Sequence, residues 1–227
     1  MGFLNPIFIL SILIALTVHE WAHAFVANRL GDPTAREMGR LTLNPIVHLD
    51  PMGTILFLLV GFGWGKPVPV NERYFHHPKR DTALVAAAGP VSNLVLAFIA
   101  FIALSLLGLS VEGDSILSFL FQPSGENTLT TFFTQFFLSS VFVNLGLMAF
   151  NLLPIAPLDG SKVLHMFIPL RYENTYEDLM RWGPYILLFL LIAERFVHVS
   201  ILSAWIETIM MFVLTVFTAI AGVIPGL

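Results

Sequence analysis

Apolar runs long enough to cross a membrane constrain the fold of this chain more than any other feature of its sequence. Apolar residues make up 56% of the 227 positions and charged residues only 11%, which is far from the composition of a soluble domain. A helix needs roughly 20 apolar residues to span a bilayer. We therefore predict an all-α, multi-pass membrane protein with about five transmembrane helices, over residues 5–30, 82–109, 129–153, 184–196 and 201–223.

Two shorter segments lie between the first two predicted helices. The apolar run 52–62 has only about eleven residues, too few to cross a hydrocarbon core of roughly 30 Å, and we predict that it is re-entrant. Residues 66–71 contain two prolines, which favour extended backbone and supply no donor to a β ladder. We expect short β strands on the cytoplasmic side of the protein, near residues 41–43 and 68–70.

Lys and Arg are distributed unevenly among the connections. Seven of them lie between Arg29 and Arg80, none between residues 110 and 127, and three between Lys162 and Arg181. The positive-inside rule places the first and third of these regions in the cytoplasm. For that orientation to hold, the run 52–62 must return to the side from which it entered, which agrees with its shortness.

The second half of the first predicted helix contains His19-Glu20-Trp21-Ala22-His23. Positions four apart share one face of an α-helix, so the two imidazoles can bind one metal ion, and zinc suits this pairing. Glu20 lies about 100° further around the helix, where its carboxylate can act on a water as a general base without being a ligand. The chain has no cysteine, so any further ligand must come from His, Asp or Glu.

The third predicted helix ends in a segment, 151–160, that contains Asp159. Pro154 and Pro157 unwind the helix, and non-helical backbone at membrane depth is tolerated only where it is buried in protein or lines a cavity. Asp159 is therefore the natural third ligand, and it lies, like His23, toward the cytoplasmic end of its helix. Three protein ligands leave a fourth position for water, which is the pattern of catalytic zinc.

These motifs resemble those of the site-2 protease family of intramembrane zinc metalloproteases. The resemblance is carried by the motif at 19–23 together with the Asn-x-x-Pro-x-x-x-Leu-Asp-Gly pattern at 151–160, and segments 63–71 and 89–93 are also similar. It implies a short prokaryotic-type member without a PDZ domain. It also implies a single metalloprotease domain, 1–227, with a three-helix catalytic core over about 5–165 and a helical hairpin over about 184–223.

The resemblance further implies a function. Such an enzyme uses one catalytic Zn²⁺ to hydrolyse peptide bonds in the transmembrane segments of membrane-protein substrates, near the cytoplasmic face. Its expected partners are a transmembrane protein substrate and the lipid bilayer, with no nucleic acid, while a homo-oligomer is left open. Its expected location is a prokaryotic cell membrane, with the active site toward the cytoplasm.

Several polar residues receive a role only through this resemblance. Asn151 and Asn93 would orient a ligand or the substrate backbone, and interhelical hydrogen bonding is an equal alternative for both. Pro154 and Gly160 are motif positions expected to support the substrate or the ligands. The remaining histidines considered match no ligand position and are expected at the surface or the membrane interface; they are His48, His76, His77 and His198.

A metal-ion binding protein or transporter is the main alternative, since intramembrane His, Glu and Asp also build ion pathways. A transporter would be expected to show repeated halves, and the sequence shows no internal repeat. A serine protease is less favoured, because Ser161 lacks a Gly-x-Ser-x-Gly context.

Overall fold

The computed structural model describes residues 4–107, 129–197 and 200–223. In chain order its helices are α1 (Pro6–Arg29), α2 (Thr34–Glu37), α3 (Pro51–Val60), α4 (Pro78–Leu106), α5 (Leu129–Asn151), α6 (Asp159–His165), α7 (Glu173–Arg181), α8 (Gly183–Val197) and α9 (Ile201–Ala221). Short 3₁₀ turns lie at Pro45–His48, Glu72–Tyr74 and Leu170–Tyr172. The connection 110–127 and His198, both used in the sequence analysis, lie outside the described residues.

Four of the described helices are long and apolar enough to cross a membrane, namely α1, α4, α5 and α9. The sequence predicts about five such helices, and the fifth candidate is α8. Its apolar part, Gly183–Glu194, is shorter than the other four. A 12-residue helix is about 18 Å long, which is less than the roughly 30 Å of a hydrocarbon core. Four candidate spans are therefore present in the described part of the chain.

Helix α4 begins four residues earlier than the sequence predicts, at Pro78 instead of residue 82. Proline is well suited to a first helical position, where its missing N–H would have no intrahelical partner. The Asp81 carboxylate accepts a hydrogen bond from the backbone N–H of His77 at 2.9 Å, which closes the first turn. Because this turn contains charged residues, a prediction based on apolar runs places the start of the helix too late.

The predicted re-entrant run forms the ten-residue helix α3. The Asp50 side chain caps its start by accepting from Gly53 N at 2.8 Å, and the helix ends at Val60, capped by Gly61, whose φ is 78°. The chain then returns along the helix: its backbone passes so close to Gly53 that a Cβ placed there would lie 2.2 Å from Trp64 O. This fold-back agrees with a segment that enters and leaves on one side, while its depth in a membrane stays a prediction.

The short β strands predicted near 41–43 and 68–70 are not confirmed. Within the described ranges, the pairing in this region is an isolated antiparallel bridge between Leu49 and Gly65, beside a hydrogen bond from Lys66 N to His48 O at 2.8 Å. Residues 66–71 belong to no helix and form no ladder, and Asn71 at their end has extended dihedral angles. Two prolines remove donors from this stretch, which we call the extended segment.

Helices α1, α4 and α5 contact one another and form the centre of the molecule. Alanines on α4 allow its neighbours to approach closely, and α9 packs on the outside of α5. The indole N–H of Trp205 on α9 donates to Ala149 O on α5 at 2.9 Å. The main buried cluster of this packing includes Ala97, Ala100, Phe101, Leu104, Leu138, Val141, Leu145, Met148, Leu214 and Phe217.

Candidate metal centre

His19, His23 and Asp159 meet at the boundary between α1 and the first turn of α6. Asp159 Oδ2 lies 3.2 Å from His19 Nε2 and 3.3 Å from His23 Nε2, and the two Nε2 atoms are 3.0 Å apart. All three side chains are buried. The structure therefore brings together the two histidines of the helical motif and the aspartate found about 140 positions later in the sequence.

The outer nitrogen of each imidazole is fixed by a hydrogen-bond acceptor. His23 Nδ1 lies 2.7 Å from the carbonyl oxygen of Val85 on α4. His19 Nδ1 lies 2.6 Å from Asn93 Oδ1. Since a carbonyl oxygen can only accept, each Nδ1 carries the proton, and in a neutral imidazole the Nε2 atom is left with a free lone pair.

The orientation of the Asn93 amide is set by two further contacts. Its Nδ2 donates to Ala15 O at 3.2 Å and to Asn144 Oδ1 at 2.9 Å. Asn144 on α5 is held in turn by donating to Ser140 O at 2.8 Å. These bonds turn Asn93 Oδ1 toward His19, so the three central helices jointly determine which ring nitrogen of His19 faces the site.

Three potential ligand atoms thus converge on one point, an arrangement that could hold a shared cation. Asp159 Oδ2 is buried and receives no hydrogen bond from the described residues. Tetrahedral zinc with ligands at roughly 2.0–2.2 Å would separate neighbouring ligand atoms by about 3.3 Å. The observed separations of 3.0, 3.2 and 3.3 Å fit that geometry, and two nitrogens with one carboxylate oxygen are ligands that zinc prefers.

Glu20 is buried beside this group but is not one of its three members. Its Oε2 accepts a hydrogen bond from the backbone N–H of Val68 in the extended segment, at 2.9 Å. The contact joins α1 to a stretch of chain 48 residues further on. Sequence reasoning missed it, because a backbone donor leaves no signal in residue type.

The loop after α5 delivers Asp159 by a close backbone approach. Helix α5 ends at Asn151, and α6 begins at Asp159 after a non-helical stretch that contains Pro154 and Pro157. A Cβ placed on Gly160 would lie 2.3 Å from Leu152 O. Glycine at this motif position therefore allows the first turn of α6 to lie against the end of α5, which places the aspartate at the site.

Not all of the candidate residues meet at this centre. The Asn151 amide donates to Leu147 O of its own helix at 3.0 Å, and Pro154 is exposed. Within the described residues, neither has a hydrogen bond to the three convergent side chains. Asn93 does contact His19, and Asn144 is a supporting residue that the sequence analysis missed. An Asn in the interior of the apolar run of α5 was the available signal.

The histidines expected at the surface separate into two groups. His76 and His77 are exposed, as predicted. For His48 the prediction was wrong, because its side chain is fully buried and its Nε2 bonds to Thr42 O at 2.8 Å. It fixes the loop between α2 and α3 from within. The carbonyl partner inside its own loop satisfies one ring nitrogen, while the buried Nδ1 has no hydrogen-bond partner among the described residues.

A second group of potential metal ligands lies outside this centre, at His165, Glu173 and Glu177. His165 Nε2 is 3.2 Å from Glu173 Oε1, and Lys79 Nζ is 3.5 Å from the same oxygen. A lysine ammonium already neutralises this carboxylate, and Glu177 is exposed. We regard the group as an ion-pair network that joins α4 to α7.

Gly89 is the point at which α4 approaches the two imidazoles. A Cβ there would lie 2.5 Å from His23 Nε2 and 2.6 Å from His19 Nε2.

We expect Gly89→Ala to weaken zinc binding by about 10-fold or more, because the added methyl group displaces both nitrogens or the helix. Zinc titration of the purified protein measures this. Gly146→Ala is the matched control, since a Cβ at Gly146 meets nothing within 4 Å; equal zinc affinity in both variants would contradict the expectation.

Comparison with known proteins agrees with this chemistry. The model of the family described as peptidase family M50 matches residues 7–193. YwhC of Bacillus subtilis (strain 168), named as a candidate zinc metalloprotease, is 41% identical over 212 residues, which cover 91% of this chain and 90% of YwhC. Rip2 of Mycolicibacterium smegmatis, named in the same way, is 32% identical over 196 residues, covering 82% of this chain and 68% of Rip2. The similarly named MJ0611 of Methanocaldococcus jannaschii is 29% identical over 161 residues, 70% of each chain. No solved structure matches the chain significantly.

Proposed function

This chain belongs to peptidase family M50, the site-2 protease family, and is an intramembrane zinc metalloprotease; we propose that His19, His23 and Asp159 hold its zinc and that Glu20 is its general base. The observation that carries this assignment is the convergence of three lone-pair atoms in a buried site beside a carboxylate that is not one of them. A metal-ion transporter is not favoured, because family and relatives agree on a protease.

Each residue of the site has a distinct task in peptide hydrolysis. Zinc, when bound, supplies Lewis-acid activation of the attacking water and of the scissile carbonyl. Glu20 accepts the proton of that water and delivers it to the leaving amine. Val85 O and Asn93 hold the Nδ1 protons of the two histidines, so that each Nε2 stays directed at the metal position.

Substrates of this enzyme are membrane proteins in a bilayer, and we place cleavage near the cytoplasmic end of their transmembrane segments. Two features support this orientation: the Lys- and Arg-rich connections 29–80 and 162–181, and the location of Asp159 beyond the end of α5. The domain boundaries and the prokaryotic cell membrane are part of the same proposal. Metal analysis combined with cleavage of a transmembrane reporter tests it, since zinc binding without cleavage would instead indicate transport or storage.

A transmembrane helix must be unwound before it is cut, because its carbonyls are engaged in its own hydrogen bonds. The extended segment is the candidate partner for the unwound strand. Most of its own donors are engaged: Lys66 N bonds to His48 O, Val68 N to Glu20, and Asn71 N to Asp32. Pro67 and Pro69 have no N–H. Val70 is left with the one backbone donor of the segment that bonds to nothing in the described residues.

We expect Val70→Pro to reduce cleavage of a transmembrane substrate by about 10-fold, because it removes the donor available for strand addition without touching a metal ligand. Val70 also packs beside Ala27, Phe75 and Val85, so Val70→Ala is the control for lost packing with the N–H retained. Cleavage and zinc content are measured together.

A reporter with helix-breaking residues near its cytoplasmic end should be cut faster than an all-leucine one. Indifference to both changes would exclude strand addition.

A further inference from the structure

The extended segment is held in place by buried charged side chains at both of its ends. Arg40, 6% exposed, donates from its Nη2 to Lys66 O at 2.6 Å and approaches Pro67 O at 3.4 Å. At the other end, the buried Asp32 carboxylate accepts from Asn71 N at 2.7 Å. The N–H bonded to Glu20 belongs to residue 68, which follows directly after the two carbonyls that contact Arg40.

Stability alone does not account for a guanidinium at this position. Among the described residues, no carboxylate forms an ion pair with Arg40, and its buried Nε–H has no hydrogen-bond partner. Burial of a charge without a counter-ion, and of a donor without an acceptor, destabilises a fold. An apolar side chain of similar volume could fill this space without either cost.

We propose that Arg40 is a positioning residue for Glu20, acting through the backbone of the extended segment. The guanidinium holds the carbonyls of residues 66 and 67, and the peptide plane between Pro67 and Val68 carries both Pro67 O and the N–H that binds the Glu20 carboxylate. Fixing that plane fixes one oxygen of Glu20 and leaves the other oxygen available for the reacting water.

This inference rests on the proposed role of Glu20, and it adds that Arg40 acts on Glu20 only through the extended segment. The hydrogen bonds of Arg40 within the described residues go to Lys66 O and Pro67 O, and not to a metal ligand or to Glu20. Loss of its contacts should therefore slow the chemical step while zinc stays bound. Because misplacement of a catalytic group by about 1 Å can cost on the order of 100-fold in rate, we expect Arg40→Gln to lower kcat by about 10- to 100-fold. KM, which also reflects pairing of the extended segment with the substrate, should rise by a smaller factor.

The test combines kinetics with hydrogen exchange of the backbone. Full-length wild type, Arg40→Gln, Arg40→Lys and the control Arg36→Gln are compared; Arg36 lies in the same connection but is exposed. Zinc content, thermal unfolding, kcat and KM for a transmembrane reporter, and amide exchange of a peptide covering residues 66–71 are measured on each. Exchange is followed with and without zinc, so this readout does not depend on activity.

The expected result is faster exchange at residues 66–71 and a lower kcat in Arg40→Gln, a smaller change in Arg40→Lys, which keeps one donor to the carbonyls, and none in Arg36→Gln. If Arg40→Gln does not fold, Arg40→Lys decides. Faster exchange with an unchanged kcat, a lower kcat with unchanged exchange, or a change confined to KM would each overturn the proposal. A failure of the Arg40 proposal would leave the assignment of Glu20 as general base unaffected, because only Glu20→Gln tests that assignment.

Discussion

Glu20→Gln is expected to abolish proteolysis while zinc stays bound. Glutamine keeps the shape of the side chain, and its amide oxygen can still accept the hydrogen bond from Val68 N that Glu20 accepts at 2.9 Å. It cannot accept a proton from water or pass one to the leaving amine. Since general acid–base catalysis typically contributes 10²- to 10⁴-fold, we expect turnover to fall by at least about 100-fold.

Metal content and turnover are measured on the same purified sample, so that a loss of zinc is not mistaken for a loss of the base. Glu37→Gln is the matched control, because it makes the same chemical change at an exposed position on α2. Turnover near the wild-type value in Glu20→Gln would remove Glu20 from the base role. Lost zinc would instead make Glu20 a determinant of metal binding.

The parts of this molecule that were predictable from sequence are those set by local spacing. The i, i+4 periodicity of a helix places His19 and His23 on one face wherever that helix lies, and apolar length alone indicates α1, α5 and α9. The approach of Asp159 was predictable for a different reason. A carboxylate after two helix-breaking prolines at membrane depth has few environments in which it can be buried.

The features that sequence reasoning missed depend on contacts between distant segments. The support that Asn144 gives to Asn93, the residue expected to orient a ligand, requires knowing that α4 and α5 both face α1 at the same height. The contact of Val68 N with Glu20 uses a backbone group, which every residue except proline possesses. The predicted strands stay unconfirmed, and a related reason is that two carboxylates take donors of the extended segment that a neighbouring strand would otherwise use.

The sequence makes Asp159 the third ligand and gives Asn151 only an orienting role, and the two side chains lie in different environments. Asp159 supplies one of three convergent ligand atoms, whereas the Asn151 amide bonds to a carbonyl of its own helix. Asp159→Ala is therefore expected to impair zinc retention far more than Asn151→Ala does. Loss of a supporting group outside the ligand set typically costs 10- to 100-fold in metal affinity, so loss of the carboxylate should cost more than about 100-fold.

Without the carboxylate, only two imidazole nitrogens, 3.0 Å apart, would hold the ion, with water in the remaining positions. A site of two neutral ligands retains zinc poorly against a chelator. Zinc stoichiometry after dialysis against a chelator, with helix content checked by circular dichroism, measures the difference. Asn151→Ala should keep its zinc, since the hydrogen bond of the Asn151 side-chain amide lies within α5. Equal zinc occupancy in Asp159→Ala and wild type would mean that another residue completes the site, and a loss as large in Asn151→Ala would mean that the end of α5 moves to the metal when it binds.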